Sequence, residues 1–159
     1  MKLPFMPSVT IRDIPKTRVL TCNHNGSYMH INQAFDELCG WLVAHNSFPP
    51  QGRLIAIYFD DPRKVAEENL RSCAGVVLPE GVKIESPFEE RQVGGGPHAV
   101  VRHIGPYEGL GSVHQWLQRE WLPKSGKEAA DAPVFEEYLN TPGDTAPADL
   151  VTDICLPLR

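Results

Sequence analysis

The sequence predicts an α+β fold made of two tandem β-α-β-β units related by a pseudo-two-fold axis, with a central cleft on that axis. Two observations carry this expectation. The apolar pattern switches twice from the two-residue period of strands to the 3.6-residue period of a helix and back again. Landmarks also recur at a nearly constant spacing: Gly26-Ser27-Tyr28 returns as Gly105-Pro106-Tyr107 after 79 residues, Tyr58 and Pro62 return as Tyr138 and Pro142 after 80, and Leu78-Pro79 returns as Leu156-Pro157 after 78. A fixed period of this kind marks an internal duplication, with repeats over residues 8–79 and 82–158 of one domain spanning 1–159. Each unit covers one face of its sheet with a helix and leaves the other open, so two units are expected to pair or face their sheets.

In the first unit, Val9 and Ile11 alternate with Thr10 and Arg12 in a strand over 9–14 that ends at Pro15. A second strand covers 18–23, followed by the turn Asn25-Gly26-Ser27. From Met29 to His45, Ile31, Ala34, Phe35, Leu38, Trp41 and Leu42 fall on one helical stripe, which suits an amphipathic helix laid on a sheet. A Pro-rich loop leads to the almost continuously apolar strand 53–59, stopped by Asp60-Asp61-Pro62, and a further strand spans 70–78. The second unit repeats the plan. Short strands are expected at 82–84 and 89–93, then the turn Gly94-Gly95-Gly96-Pro97 and a strand over 98–104. Leu110, Val113, Trp116, Leu117 and Trp121 mark a helix stopped by Pro123, and strands over 134–140 and 150–156 complete the unit.

The strand 134–140 places carboxylates inside a pattern that otherwise reads as buried. Its two-residue period puts Val134, Glu136, Tyr138 and Asn140 on one face, with Phe135, Glu137 and Leu139 on the other. A carboxylate beside aromatic and apolar neighbours lies either at a sheet edge in water or in a pocket that awaits a positive partner. The repeat isolates Glu136, because the matching position in the first unit, two before Tyr58, is Ala56. A site that needs one negative charge accounts for that asymmetry.

Bulk properties narrow the function. A formal charge of −5 without a dense lysine or arginine run excludes a nucleic-acid surface and favours cationic ligands or basic partner surfaces. Cys22, Cys39, Cys73 and Cys155 are dispersed through apolar segments with no C-x-x-C pair, as expected of reduced core thiols. Residues 1–7 lack the apolar core of a signal peptide and no stretch approaches membrane-span length, so a cytoplasmic location without membrane contact is expected. His98 and His103 point to opposite faces of one strand, and His24 and His30 flank a turn, spacings that do not suit a metal. Gly94-Gly95-Gly96 lacks the lysine and helix start of a phosphate cradle, and Ser112 lacks the spacing of a nucleophile elbow.

Four segments in order, Val101-Arg102-His103-Ile104-Gly105-Pro106-Tyr107, Trp121-Leu122-Pro123-Lys124-Ser125-Gly126, Pro133-Val134-Phe135-Glu136-Glu137-Tyr138-Leu139-Asn140-Thr141-Pro142 and Val151-Thr152-Asp153-Ile154-Cys155-Leu156-Pro157, resemble the GyrI-like (gyrase-inhibitor-like) small-molecule-binding domain. This module also forms the effector-binding domain of some AraC-type and MerR-type regulators, and the resemblance covers nearly the whole chain. It implies a central pocket, lined by aromatic rings around a buried glutamate, that accepts lipophilic cations and other drug-like molecules. No cofactor or metal is implied. The Phe-Glu-x-Tyr pattern maps that glutamate onto Glu136, beside Tyr138. The aromatic after Gly-Pro maps onto Tyr107, with Tyr28 as its counterpart through the repeat as Tyr58 is of Tyr138, and the position of Trp121 near the helix end places it at the cleft mouth.

The role implied is xenobiotic sensing, sequestration or toxin resistance. One alternative is a hydrolase of reactive toxins with Glu136 as general base and a tyrosine as proton donor. A second is a protein that docks DNA gyrase through its acidic exterior. The first strand begins within eight residues of Met1, so a regulatory role is expected to need a separate DNA-binding partner. Burial is expected to raise the pKa of Glu136 in an empty pocket.

Overall fold

Only Pro15 and Lys16 separate the first two strands, yet those strands do not pair with each other. In the computed structural model, which describes residues 7–159, the strands are β1 (Val9–Ile14), β2 (Thr17–Asn25), β3 (Leu54–Tyr58), β4 (Arg71–Val77), β5 (Glu89–Val93), β6 (Gly96–Ile104), β7 (Val134–Tyr138) and β8 (Val151–Pro157). They form one antiparallel sheet in the order β1-β6-β8-β7-β3-β4-β2-β5. β1 and β5 are equivalent in the two repeats but exchanged: β1 joins β6 of the second half, and β5 joins β2 of the first. The halves meet where β3 pairs with β7. Pairing at the centre, not face-to-face stacking, therefore unites the two sheets.

The repeat extends to individual hydrogen bonds. Gly26 N–H donates to the Leu70 carbonyl and Gly105 N–H to the Leu150 carbonyl, both at 2.8 Å. The Asp60 carboxylate accepts the Arg71 N–H at 2.7 Å, as the Asn140 side-chain oxygen accepts the Val151 N–H at 2.8 Å.

The helices α1 (Asn32–Ala44) and α2 (Leu110–Trp116) bury their apolar stripes on one face of this sheet. Leu38 and Leu42 of α1 pack with Leu20, Cys22, Ala74 and Val76, while Val113, Trp116 and Leu117 pack with Ala99, Val101 and Ile154. The other face carries its own core of Val19, Ile57, Cys73, Val100, Phe135 and Cys155. With both faces buried, the central strands read as near-continuous apolar runs.

Two expectations are corrected. Residues 82–84 form no strand, because β5 already occupies the free edge of β2; Ile84 instead packs on the first-half core. The second helix does not stop at Pro123. It passes through a wide turn over Leu117–Trp121, continues as α3 (Leu122–Ser125), and ends at Gly126 with φ +75°. Proline lacks an N–H and its ring clashes with a carbonyl four residues back, so a widened turn before it lets the helix accommodate it.

Gly75 tests this packing. A Cβ there would stand 2.3 Å from Val19 Cγ1 and 3.2 Å from the Ile55 carbonyl oxygen, whereas one on Gly111 in α2 would meet open space. Gly75→Ala is expected to destabilise the fold by about 1–3 kcal/mol. Gly111→Ala should leave stability unchanged or raise it by up to about 1 kcal/mol. Thermal melts of the two variants check both signs.

Candidate ligand-binding site

A single row of side chains crosses the helix-bearing face of the sheet: Cys22, Ala74, Ala56, Glu136, Ile154, Val101 and Val9 are successive cross-strand partners. Its centre is the pair Ala56 and Glu136, which are also the repeat-equivalent positions. Glu136 therefore sits on the pseudo-axis, flanked by apolar neighbours, and is only 2% exposed.

The two-residue period places Tyr58 beyond Ala56 and Tyr138 beyond Glu136 on the same face. Both hydroxyls donate to Glu136 Oε1 at 2.7 Å and stand 3.3 Å apart. His114 of α2 brings Nε2 to 2.5 Å from Oε2. Rings close the surroundings: Tyr28 lies 4.7 Å from Tyr58 and Tyr107 5.4 Å from Tyr138, centroid to centroid. Each helix also reaches a tyrosine of the other half, Phe35 at 5.7 Å from Tyr138 and His114 at 5.9 Å from Tyr58. Phe35 and His114 are themselves 79 residues apart, the period of the repeat.

Of the residues expected from the sequence, Glu136, Tyr58 and Tyr138 meet directly, and Tyr28 and Tyr107 form flanking walls. The Tyr28 hydroxyl accepts the Asp60 N–H at 3.0 Å and lies 2.8 Å from the Asp60 carbonyl, so it is tied to the loop after β3. Trp121 instead packs on the second-half core. Two residues were missed. His114 falls four residues after Leu110 and three before Leu117, on the helical stripe itself, and that spacing was the available signal. Phe35 lies on the stripe of the first helix, a position that reads mainly as core.

The electrostatics also differ from expectation. Burial works to raise the Glu136 pKa, but the hydrogen bond and charge of His114, with the hydroxyls of Tyr138 and Tyr58, outweigh it and hold the carboxyl below the usual range. An ionised carboxylate with several donors is stabilised in this way. Burial first, and then the charge of Glu136, push both central tyrosines well above their ordinary value. They therefore remain protonated donors.

On the opposite face, Glu137 and Asp153 are cross-strand neighbours. Arg53 takes both oxygens of Glu137 at 2.9 Å, and Arg102 binds Asp153 at 2.9 and 3.2 Å. Among the described residues, Glu136 has no lysine or arginine partner.

The model of the GyrI-like small molecule binding domain matches residues 7–159. The chain belongs to this family. This GyrI-like chain is 27% identical over 160 residues to a probable transcriptional regulator, YgiV, of Escherichia coli (strain K12), covering 94% of this chain and 95% of the relative. It is 31% identical over 115 residues to a DNA gyrase inhibitor of Escherichia fergusonii, covering 69% and 72%. Among solved structures it resembles the C-terminal domain of EcmrR, with a TM-score of 0.79, 17% identity and coverage of 98% and 99%. It also resembles SAV2435 bound to tetraphenylphosphonium, with a TM-score of 0.59, 11% identity and coverage of 96% and 94%. The expected α+β architecture, a tandem duplication about a pseudo-two-fold, is the one observed.

For this GyrI-like domain, the depressed pKa of Glu136 sets the sign of a pH effect. Its carboxylate contributes stability that is present above the unfolded-state value, about 4.3, and is lost as pH falls toward the folded-state value. The difference in melting temperature between the wild type and Glu136→Gln should therefore stay constant from neutral pH to about pH 5 and change only in more acidic solution. A change centred between about pH 6 and 7 would mean that burial dominates instead.

Proposed function

We propose that this domain binds lipophilic organic cations between its two helices, with Glu136 as the counter-charge. The observation that carries this reading is the contrast between the two faces of the sheet. Asp153 and Glu137 are each neutralised by arginine. Glu136, more deeply enclosed, is held by two phenols and one imidazole. A buried carboxylate without a permanent cation is disposed to accept one from a ligand.

The walls suit such a ligand. Tyr28, Tyr58, Tyr107, Tyr138 and Phe35 supply ring faces and edges, and a cation over a ring face gains roughly 0.5–2 kcal/mol. With few directional donors besides the tyrosine hydroxyls, recognition rests on charge and apolar area, so binding is broad. The bound tetraphenylphosphonium of the structural neighbour SAV2435 supports this ligand class. His114 occupies one carboxylate oxygen, so a cation that approaches this oxygen takes its place.

A second reading rests on the same four side chains. Glu136, His114, Tyr58 and Tyr138 form a connected hydrogen-bonded group, the inventory of a general acid and base for hydrolysis of a strained electrophile.

Calorimetric titration with tetraphenylphosphonium at neutral pH tests the first reading. Glu136→Gln should weaken binding at least about tenfold, the order expected when a charged partner is lost from a buried site. His114→Phe, which copies the first-half residue Phe35, removes the leading group that offsets burial of Glu136, so the loss of cation binding on acidification should move to higher pH than in the wild type. Unchanged affinity in Glu136→Gln would overturn the cation assignment. Mass spectrometry of a strained electrophilic toxin after incubation decides the second reading: unaltered ligand rejects hydrolysis, and catalytic turnover supports it.

A further inference from the structure

On the helix-free face of the first half lies a hollow of about 190 Å³, lined by Asn23, Asn25, Phe59, Arg71, Ser72 and Arg91. It contains two guanidinium groups, two side-chain amides and one aromatic ring, and no carboxylate lines it. Arg91 sits over Phe59, 5.0 Å from the ring centroid, and donates to the Asn23 amide oxygen at 3.1 Å. Its Nε is buried and has no hydrogen-bond partner among the described residues. A buried donor left without an acceptor is costly.

Comparison of the two halves shows what is missing. Arg91 opposes Val19 in β2 as Arg12 opposes His98 in β6, the same register in each repeat. Arg12 and its neighbour Arg102 both bind Asp153, which is 4% exposed. In the first half the position of Arg102 holds Asn23, and that of Asp153 holds Cys73. Arg91 thus lacks the buried counter-charge that its equivalent has. Its ion pair is with Glu89, whose side chain is 60% exposed, and such pairs contribute little. Arg71 is bound through Nε and Nη2 by Asp60, which leaves Nη1 free of that pair. The second half has Val151 and Leu139 where Arg71 and Phe59 stand, so the hollow is particular to the first half.

We infer that this hollow binds a small organic anion with a flat apolar body. Arg71 and Arg91 hold a carboxylate or phosphate group, the Asn23 and Asn25 amides border it, and the stack of Arg91 on Phe59 forms the apolar wall. Cavities on the order of 150 Å³ accommodate a benzene ring, so the space suits one ring with an anionic substituent. The ligand would supply the acceptor that Asp153 supplies in the other half. This site lies across the sheet from Glu136 and does not depend on cation binding there.

The test uses the full chain at low salt, with benzoate and phenyl phosphate as probes and the neutral isostere benzamide and inorganic phosphate as controls. Calorimetry is combined with NMR of the arginine Nε–H and asparagine amide signals. Saturable binding of benzoate and phenyl phosphate, tighter than inorganic phosphate and absent for benzamide, is expected. Arg91→Gln should weaken it by about tenfold or more, and Cys73→Asp, which installs the missing carboxylate, should abolish it. Should Cys73→Asp fail to fold, Arg91→Gln alone decides. Tetraphenylphosphonium binding should be the same in Arg91→Gln as in the wild type, which separates this site from Glu136. Non-saturating responses, equal binding of benzamide, or an unchanged benzoate affinity in Arg91→Gln would each overturn the anion site. Inorganic phosphate binding as tightly as phenyl phosphate would overturn the apolar-body assignment.

Discussion

The cross-strand pair of Ala56 and Glu136 governs the rest of the structure, because there each half of a duplicated chain faces its own counterpart. Cross-strand partners have Cβ atoms about 4.5–5.5 Å apart, and two buried carboxylates at that distance cannot both remain ionised. A charge on the axis is therefore restricted to one copy, and the other must be small and neutral, as Ala56 is. The result is a nearly symmetrical frame around an asymmetric centre. Tyr58 and Tyr138 preserve the symmetry, one from each half donating to the same oxygen. Phe35 and His114 break it, since the repeat supplies a hydrocarbon ring on one side and a hydrogen-bonding ring on the other.

The sheet sorts its carboxylates by the partners each face provides. On the helix-free face, arginines project from neighbouring strands, and both Glu137 and Asp153 are paired. On the helix-bearing face, the row that contains Glu136 is otherwise apolar, and the charge is stabilised by dipoles and an imidazole. Such an arrangement keeps the carboxylate ionised without neutralising it with a fixed cation. Exchange of β1 and β5 holds this centre in place by knitting each half to the edge of the other. Neither half contributes a complete four-stranded layer from its own sequence.

Much of this was legible in the sequence because it depends on local period and on the repeat. Alternation over residues 134–138 placed Glu136 and Tyr138 on one face, and the 80-residue offset identified Ala56 as its counterpart. What escaped were features created by tertiary contact. The exchange of β1 and β5 depends on pairings between distant segments that no local pattern encodes. His114 lies on a stripe that reads as core, and only the approach of α2 to β7 makes it a carboxylate partner. Burial of Glu136 pointed to a raised pKa, but its sign depends on three donors from β3, α2 and β7, and they reverse it. Pro123 similarly reads as a stop until the widened turn before it is seen.

The central claim is that one enclosed carboxylate on the axis stays charged without a fixed lysine or arginine beside it. Carbon-13 NMR of side-chain-labelled glutamate, with the Glu136→Gln variant used to assign the resonance, reads that ionisation directly. The account predicts a titration midpoint below the ordinary glutamate value of about 4.3. A carboxyl that remains protonated to about pH 6 or above would show that desolvation prevails over its donors, and would contradict the account.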